Sequence, residues 1–238
     1  MKVMKRLFII TGATGGIGSA VLSMLDKENV CCLCRKEVKN VAKCIRTDFS
    51  SIDVSYIEEL LNWIKSYDDV SEIVLIMTAS TIAPIDAIGT LQDSIVSNIN
   101  INVSSQVRIV DAIVRITKER ATGLRIIQFD SGAAYRPLKG WAFYCSAKAY
   151  MSIFLKVLSS ENPDYRVVLF DPGVVDTGMQ KDIRESVSEV FTDKEMFKSY
   201  EEKNQLNDPR LVAKFVYERY LADWKAESLN EKFSIGVC

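Results

Sequence analysis

Residues 7–18 read LFIITGATGGIG, and this stretch decides the fold. The apolar run Leu7–Ile10 is typical of a buried strand in a parallel sheet, where both faces of the strand are covered. Residues 17–25 then carry apolar side chains at helical spacing, so the glycines lie between a strand and a helix. In that context a glycine-rich turn predicts a phosphate-binding site.

Three glycines of this turn have predicted roles. Gly12 permits a tight turn, Gly16 lets backbone N–H groups approach a pyrophosphate, and Gly18 lets the helix pack closely on the sheet. The N-terminus of the helix that follows favours an anion. A tight glycine turn without a ligand is the alternative interpretation.

Short apolar runs alternate with helical periodicity along the chain. This alternation is the signature of βαβ crossovers, so we predict an α/β fold: a Rossmann-like, doubly wound sheet of about seven parallel strands with helices on both faces. The predicted strands cover residues 5–10, 29–34, 43–47, 72–78, 124–130, 165–171 and 232–236. The predicted helices cover residues 16–27, 53–66, 93–118, 141–160 and 208–223.

Composition agrees with a single domain over residues 1–238. The chain has 238 residues, of which 48% are hydrophobic, enough for one large core. Lys and Arg number 30 against 31 Asp and Glu, and no basic block indicates nucleic-acid binding. We therefore expect small molecules or a second copy of the chain as partners.

The first ten residues combine a basic start with a short apolar run. The run is too short for the apolar core of a signal peptide and ends in the glycine turn. No stretch of the sequence approaches the ~18 apolar residues of a membrane span. We expect a soluble, cytoplasmic protein without membrane contact.

The chain contains no histidine, which constrains its chemistry. Catalysis by Ser-His-Asp or Cys-His groups is excluded, so proton transfer must involve Tyr, Lys, Cys or carboxylates. Cys31, Cys32 and Cys34 lie in the predicted second strand, and no second cysteine pair follows at zinc spacing. We interpret these cysteines as small buried hydrophobic residues and predict no metal site.

Tyr144 and Lys148 are the candidate catalytic pair. Four residues apart on a predicted helix, they place phenol and ammonium side by side on one face. An unperturbed phenol titrates near pH ~10, and a nearby cation favours its ionised form, so we expect Lys148 to lower the pKa of Tyr144. The same spacing arises by chance on amphipathic helices, and the pair alone does not identify a function.

Together these motifs resemble the short-chain dehydrogenase/reductase family in its short form. The shared elements are the glycine turn, Ser131 thirteen residues before Tyr144, Lys148 four residues after it, and a Pro-Gly motif at residues 172–173. The resemblance covers nearly the whole chain. It implies that the protein is an oxidoreductase that uses a nicotinamide cofactor.

The resemblance implies a catalytic role for each of four residues. Tyr144 would protonate the carbonyl oxygen of the substrate as hydride reaches the carbon, and Ser131 would donate a hydrogen bond to the same oxygen. Lys148 would raise the acidity of the phenol. Asn102, which its Asn-Val-Ser-Ser context favours over the neighbouring asparagines, would hold a water that links Lys148 to solvent.

The resemblance also implies the residues that contact the cofactor. These are Thr11, Gly12, Gly16, Ile17, Gly18, Arg35, Asp48, Ala79, Tyr144, Lys148, Pro172, Gly173, Val175 and Thr177.

The choice between NAD and NADP is made at the end of the second strand. Arg35 and Lys36 supply two cations there and no acid, which favours the 2′-phosphate of NADP(H); ordinary solvated loop charges are the alternative. Asp48 follows the third strand, where the family contacts adenine, although an Asp at this position also forms turns.

Two features depart from the family pattern. Residues 78–80 read Thr-Ala-Ser where Asn-Ala-Gly is usual, and Thr78 could replace one of the lost amide hydrogen bonds but not two. Asp130 and Asp171 place acids directly before Ser131 and the Pro-Gly motif. The sequence offers no physical account of these two acids.

Residues 172–180, 183–185 and 202–206 look like the benzil reductase and sepiapterin reductase-like group, whose members reduce vicinal dicarbonyls. We therefore predict an NADPH-dependent carbonyl reductase that converts a vicinal diketone to an α-hydroxy ketone. Reduction of another ketone, a pterin or a quinone is an alternative, as is a non-catalytic NADP-binding sensor. By resemblance, residues 178–207 form a substrate lid.

The resemblance also implies a homodimer. The helices near residues 93–118 and 141–160 would form the interface between subunits. On the second helix Trp141, Phe143, Tyr150 and Phe154 would supply apolar area. Packing of these side chains inside the monomer is the alternative.

Overall fold

A computed structural model describes residues 5–90 and 94–233 of the chain. The strands in this part form one parallel sheet with the order β3-β2-β1-β4-β5-β6-β7. They are β1 (Lys5–Thr11), β2 (Val30–Cys34), β3 (Lys43–Arg46), β4 (Val70–Met77), β5 (Gly123–Phe129), β6 (Arg166–Asp171) and β7 (Asn230–Lys232). The strand order reverses between β1 and β4, which is where sheets of this kind bind ligands, at the carboxyl edge.

Helices cover both faces of the sheet. They are α1 (Gly16–Ser23), α2 (Ser55–Lys65), α3 (Ser94–Ile99), α4 (Ser105–Arg120), α5 (Ala142–Glu161), α6 (Gly178–Glu185), α7 (Lys194–Glu202) and α8 (Pro209–Val216). Helices α1 and α8 pack on one face, and α2, α4 and α5 pack on the other. The predicted α/β fold is thus confirmed.

Strand β1 shows why the apolar runs are continuous. Leu7 and Ile9 belong to the core under α2, α4 and α5, whereas Phe8 and Ile10 belong to the core under α1 and α8. Successive side chains of a strand point to opposite faces, so a strand covered on both sides needs apolar residues at every position. Cys31, Cys32 and Cys34 are buried in β2 for the same reason, as predicted.

Three predicted elements differ in detail. The helix predicted over residues 93–118 contains a π-helical turn, Asn100–Ser104, between α3 and α4, and residue 93 lies outside the described residues. The seventh strand begins earlier than predicted, and residues 234–236 of that prediction also lie outside the described part of the chain. Residues 178–207 contain α6 and α7, for which no helix was predicted.

Within residues 5–90 and 94–233, every helix is either too short or too polar to span a lipid bilayer.

Candidate active site

The glycine turn joins β1 to α1 through close backbone contacts. Gly12 has a φ of +73°, and a Cβ on it would lie 2.8 Å from the Cα of Ala79. A Cβ on Gly18 would lie 2.6 Å from the Thr78 hydroxyl oxygen. Both positions therefore exclude larger residues, and the turn holds α1 tightly against the end of β4.

The N-terminus of α1 is open to an anion. Gly15 precedes the helix without a side-chain cap, and the first turn carries no acid. Ile17 lies half-buried in that turn. Gly16 faces the Pro-Gly segment, since a Cβ on it would lie 2.6 Å from the Thr177 methyl carbon. These residues can hold a phosphate group between the helix N-terminus and residue 177.

Thr78 supplies one hydrogen bond where the family usually has an asparagine. Its hydroxyl oxygen lies 2.6 Å from the carbonyl oxygen of Thr11 and 3.4 Å from that of Gly12. One hydroxyl proton serves both acceptors, and the shorter contact dominates. The Ala79 N–H donates to the Thr11 hydroxyl at 3.2 Å, so β1 and β4 remain connected at their carboxyl ends.

Ser131, Tyr144 and Lys148 meet at the carboxyl end of β5. Ser131 follows the strand, and its hydroxyl oxygen accepts a hydrogen bond from the Ala133 N–H at 3.2 Å. Tyr144 and Lys148 lie one turn apart on α5 and are each 7% exposed. The Lys148 ammonium donates to the carbonyl oxygen of Phe129 at 2.6 Å and lies 5.5 Å from the centroid of the Tyr144 ring.

Burial opposes the charged forms of both groups. It raises the pKa of Tyr144, although interaction with the Ser131 hydroxyl acts in the opposite direction. The expectation of a lowered phenol pKa is therefore not met in this structure, because loss of hydration and the negative charges of Asp130 and Asp171 raise it. Burial also lowers the pKa of Lys148 to about 8, against the attraction of Asp130 and Asp171.

Asp130 and Asp171 lie on neighbouring strand ends beside Lys148. The Asp130 N–H donates to the carbonyl oxygen of Phe170 at 2.8 Å, so the two acids follow paired residues of β5 and β6. Burial raises the pKa of Asp130, whereas Lys148 and a hydrogen bond from Tyr135 lower it. The acids that the sequence left unexplained thus provide the negative charge that faces a buried ammonium.

Asn102 lies in the π-helical turn, and its side-chain amide is fully bonded. The amide oxygen accepts from the Ser80 hydroxyl at 2.9 Å and from the Thr81 N–H at 2.8 Å. The amide nitrogen donates to the Thr81 carbonyl oxygen at 2.8 Å and to the Asn98 amide oxygen at 3.1 Å. Two donated and two accepted hydrogen bonds exhaust this side chain.

Arg35, Lys36 and Asp48 lie beyond the ends of β2 and β3 and are exposed. The Asp48 carboxylate accepts from the N–H of Ser50 at 3.0 Å and from its hydroxyl at 2.8 Å, which lowers the pKa of Asp48, and Arg35 lowers it further. Asp48 therefore forms a turn, which was the alternative interpretation of this residue.

The Pro-Gly motif turns sharply after β6. Gly173 has a φ of +68°, and its N–H donates to the Asp171 carboxylate at 2.9 Å. The Asn207 amide donates to the carbonyl oxygen of Pro172 at 2.9 Å, and Val175 pairs with Asn207 in an isolated bridge. Thr177 then caps α6 by accepting from the Gln180 N–H at 3.4 Å.

A family profile described as short chain dehydrogenase matches residues 6–188. The chain belongs to the short-chain dehydrogenase family. It is 34% identical to a benzil reductase ((S)-benzoin forming) of Bacillus cereus over 230 residues, which cover 89% of this chain and 92% of the relative. A benzil reductase ((S)-benzoin forming) of Bacillus subtilis is 31% identical, with 87% and 90% covered.

This short-chain dehydrogenase is also 33% identical to a sepiapterin reductase of Bos taurus over 117 residues. This shorter match covers 47% of this chain and 39% of the relative. Among solved structures, a short-chain dehydrogenase/reductase from Saccharomyces cerevisiae superposes with a TM-score of 0.78 at 22% identity, and 96% of each chain is covered. The protein is thus an oxidoreductase that acts on carbonyl or hydroxyl groups, and it resembles the benzil reductase group.

An aromatic cluster in this short-chain dehydrogenase covers Tyr144. The cluster comprises Trp141, Tyr144, Phe191 and Phe197, all buried. The ring centroids of Trp141 and Phe191 lie 5.4 Å apart with nearly parallel planes, and those of Trp141 and Phe197 lie 5.3 Å apart. Trp141 thus joins the phenol to the segment at residues 178–207.

Burial of Trp141 corrects one prediction about the subunit interface. At 4% exposure inside the monomer, its ring has no area to offer a second subunit. Phe143 and Phe154 are half-buried, and Phe154 packs against the core. Tyr150 is 51% exposed, so it remains available on the outer face of α5.

Two residues of the site were missed in the sequence. Asn207 pins the Pro-Gly turn, and Tyr135 donates to Asp130 at 3.0 Å. Asn207 ends the polar segment before α8. The available signal in the sequence was an amide side chain in a loop that contains few glycines. Nothing in the sequence pairs Tyr135 with Asp130, because their contact depends on the 3₁₀ turn Gly132–Ala134.

Proposed function

We propose that this protein is an NADPH-dependent reductase that transfers hydride to one carbonyl of a vicinal diketone and releases an α-hydroxy ketone. The observation that carries the proposal is the aromatic cluster packed against the buried phenol of Tyr144. Flat apolar rings beside a proton donor suit a carbonyl compound with an aromatic substituent. The similarity to two benzil reductases supports the same substrate class.

The residues at the carboxyl edge of the sheet fit a dinucleotide. The glycine turn and the open N-terminus of α1 would hold its pyrophosphate, and Ala79, Pro172 and Val175 would border it. Arg35 is exposed at the end of β2, where it can pair with a 2′-phosphate, so we infer NADP(H) rather than NAD(H). Solved relatives of this fold include chains with NADPH or NADP bound.

The bound cofactor would supply hydride to the carbonyl carbon. Tyr144 would donate its phenolic proton to the oxygen on which negative charge develops, and Ser131 would stabilise that charge with a hydrogen bond. The raised pKa of Tyr144 keeps the phenol protonated and ready to donate throughout the neutral range. The Lys148 ammonium would favour the phenolate that this step produces.

We further propose that residues 178–207 form a lid over the substrate. Phe191 and Phe197 reach the phenol through Trp141, so substrate entry requires this segment to move away from α5. When it closes, the same rings would exclude water from the reacting carbonyl.

The test is a comparison of initial rates with NADPH on four carbonyl compounds. Benzil and a phenyl alkyl diketone should react fastest, because a second carbonyl makes the first more electrophilic, and acetophenone should be much slower. Sepiapterin separates a pterin reductase from a diketone reductase. Preference for acetophenone, or activity on none of the four, would overturn the dicarbonyl assignment.

We also propose a homodimer through the outer face of α5. Tyr150, Ile153 and Val157 form an apolar stripe along this helix and are 51%, 61% and 50% exposed. Val96 and Ile99 on α3 are also exposed, at 61% and 41%. Light scattering should give the mass of two chains, and Ile153→Asp should shift it to one; a wild-type monomer at micromolar concentration would contradict the proposal.

A further inference from the structure

Four buried side-chain atoms in the described part of the chain lack a hydrogen-bond partner. One is an acceptor, the amide oxygen of Gln128, and the other three are donors: Trp141 Nε1, Gln180 Nε2 and Arg184 Nη1. A buried polar group without a partner costs free energy, so each such group needs an explanation. All three donors belong to the segment at residues 178–207 or to the ring that this segment covers. This arrangement favours a ligand that carries hydrogen-bond acceptors.

Trp141 is the donor whose side chain meets the phenol of Tyr144. It stands at the start of α5, three residues before Tyr144, and residues at this spacing are neighbours on one face of a helix. The two rings meet edge to face, with centroids 5.7 Å apart. An indole nitrogen can only donate a hydrogen bond, so Trp141 requires an acceptor. A carbonyl compound bound at Tyr144 would bring its oxygens beside this ring.

The surroundings of Trp141 offer its N–H no other acceptor side chain. Phe191 and Phe197 pack against the indole, and Ile82 and Ile183 belong to the same buried cluster. The side chains of these four residues contain only carbon and hydrogen. In such a dry site a hydrogen bond to a ligand discriminates strongly, because an analogue without the acceptor leaves the donor buried and unpaired.

We propose that the Trp141 N–H donates a hydrogen bond to the second carbonyl oxygen of a vicinal diketone, the oxygen that is not reduced. This inference rests on the proposed reductase function and names the residue that selects dicarbonyls. The oxygen that receives the proton faces Tyr144 and Ser131, and the oxygen on the adjacent carbon accepts from Trp141. A ketone with a single carbonyl binds at the phenol but leaves the indole N–H without a partner.

Gln180 and Arg184 are the competing donors. Both lie on α6, one turn apart, and Arg184 Nη2 lies 2.8 Å from Glu201 Oε1, so a carboxylate already offsets the charge of this guanidinium. Gln180 is buried and uncharged, which makes it the stronger competitor for a carbonyl oxygen. The experiment must therefore separate the contribution of Trp141 from that of Gln180.

The experiment compares benzil with deoxybenzoin as substrates of the full chain with NADPH. Deoxybenzoin keeps both phenyl rings of benzil and lacks the second carbonyl. Trp141→Phe keeps a flat apolar ring and removes the N–H. We expect kcat/KM for benzil to fall about tenfold more than kcat/KM for deoxybenzoin. Weaker packing on Phe191 and Phe197 affects both compounds alike and cancels when the two decreases are compared.

Two control variants accompany Trp141→Phe. Trp63→Phe makes the same change at a buried tryptophan of α2, in a different core cluster, and should leave kcat/KM for both compounds unchanged. Gln180→Leu removes the competing donor and should keep the wild-type ratio of the two rates. Equal losses on both compounds in Trp141→Phe would overturn the proposal, as would a changed ratio in Gln180→Leu alone.

Nuclear magnetic resonance of the wild-type chain covers the cases in which Trp141→Phe fails to fold or deoxybenzoin reacts too slowly to measure. The chain has three tryptophans, so a nitrogen–proton correlation spectrum contains three indole signals. Trp63→Phe and Trp224→Phe identify two of them and leave the third to Trp141. With NADP⁺ bound, benzil should move the Trp141 proton downfield, the direction that hydrogen bonding causes, and deoxybenzoin should move it much less.

Equal shifts of the Trp141 signal with the two compounds would overturn the proposal. Failure of the inference and failure of the proposed function give different results. If the wild-type protein reduced none of the four carbonyl compounds, the proposed function itself would have failed. If it reduced benzil and the ratio of benzil to deoxybenzoin rates ignored Trp141→Phe, only the role of Trp141 would be wrong.

Discussion

The ring of Trp141 meets the ring of Tyr144 edge to face, with centroids 5.7 Å apart and planes at 87°. This contact places the proposed proton donor under an aromatic residue that the segment at 178–207 also covers. The phenol is consequently buried before any substrate arrives. In the proposed mechanism, opening of that segment controls both substrate entry and the hydration of Tyr144.

Tyr144→Phe should abolish reduction while preserving NADPH binding. The change removes the phenolic proton donor but keeps the ring that packs on Trp141, so the fold should be retained. We expect kcat to fall by about 10²–10⁴-fold, the usual contribution of a general acid. Initial rates and a fluorescence titration with NADPH check the two halves of this prediction. Tyr217→Phe, the same change on a residue packed against a different core cluster, should leave both unchanged.

Arg35→Asp should shift the preference of the enzyme from NADPH toward NADH. The substitution removes the cation at the end of β2 and adds a charge that repels the 2′-phosphate. The measurement is the ratio of kcat/KM for the two cofactors. Lys65→Asp reverses a charge at the end of α2 and should not change the ratio. Equal use of both cofactors by the wild-type protein would contradict the NADP assignment.

Reduction should decline as pH rises through about 8, the pKa to which burial lowers Lys148. Below this pH the amine is protonated and supports the phenolate of Tyr144; above it the positive charge is lost. The pKa of Tyr144 is raised, so the phenol stays protonated and does not produce this limb. The pH profile of kcat/KM for NADPH reports groups of the free enzyme and is the appropriate measurement. A flat profile from pH 7 to about 9.5 would be incompatible with a buried Lys148 of this pKa.

Gly18→Ala should destabilise the protein, whereas Gly178→Ala should not. A Cβ on Gly18 would lie 2.6 Å from the Thr78 hydroxyl oxygen, while a Cβ on Gly178 would have no atom within 4 Å. We expect the free energy of unfolding to fall by about 1–3 kcal/mol for Gly18→Ala. The change for Gly178→Ala should be within about 1 kcal/mol. Urea unfolding followed by circular dichroism measures the free energy of unfolding of both variants. Similar decreases for the two would show that the close approach of α1 to residue 78 does not make Gly18 necessary.

The alternation of strands and helices could be predicted from the sequence because it arises from the pattern of apolar residues within each element. Each strand of a sheet covered on both faces needs a continuous apolar run, and each covering helix needs an apolar stripe. The position of Tyr144 and Lys148 on one helix face follows from their spacing alone. One departure from the predicted helices, the π-helical turn at Asn100–Ser104, involves side-chain contacts with residues 80–81.

The pKa of Tyr144 was predicted in the wrong direction for a reason that is not local. Sequence spacing shows that a lysine is near, but it does not show how completely water is excluded. The rings of Trp141, Phe191 and Phe197 come from segments up to 56 residues apart, and together they bury the phenol. Loss of hydration is then the largest cause of the raised pKa.

The sequence by itself therefore determined the family, the sheet and the residues at its carboxyl edge, since these follow from periodicity and from motifs of short span. Tertiary structure alone decided that Asp130 faces Lys148, that the Asn102 amide is fully bonded and that Trp141 is buried against Phe191. These relationships depend on which side chains meet when distant strands and helices pack. The direction and solvation of a side chain are set by those contacts and leave no periodic signal in the chain.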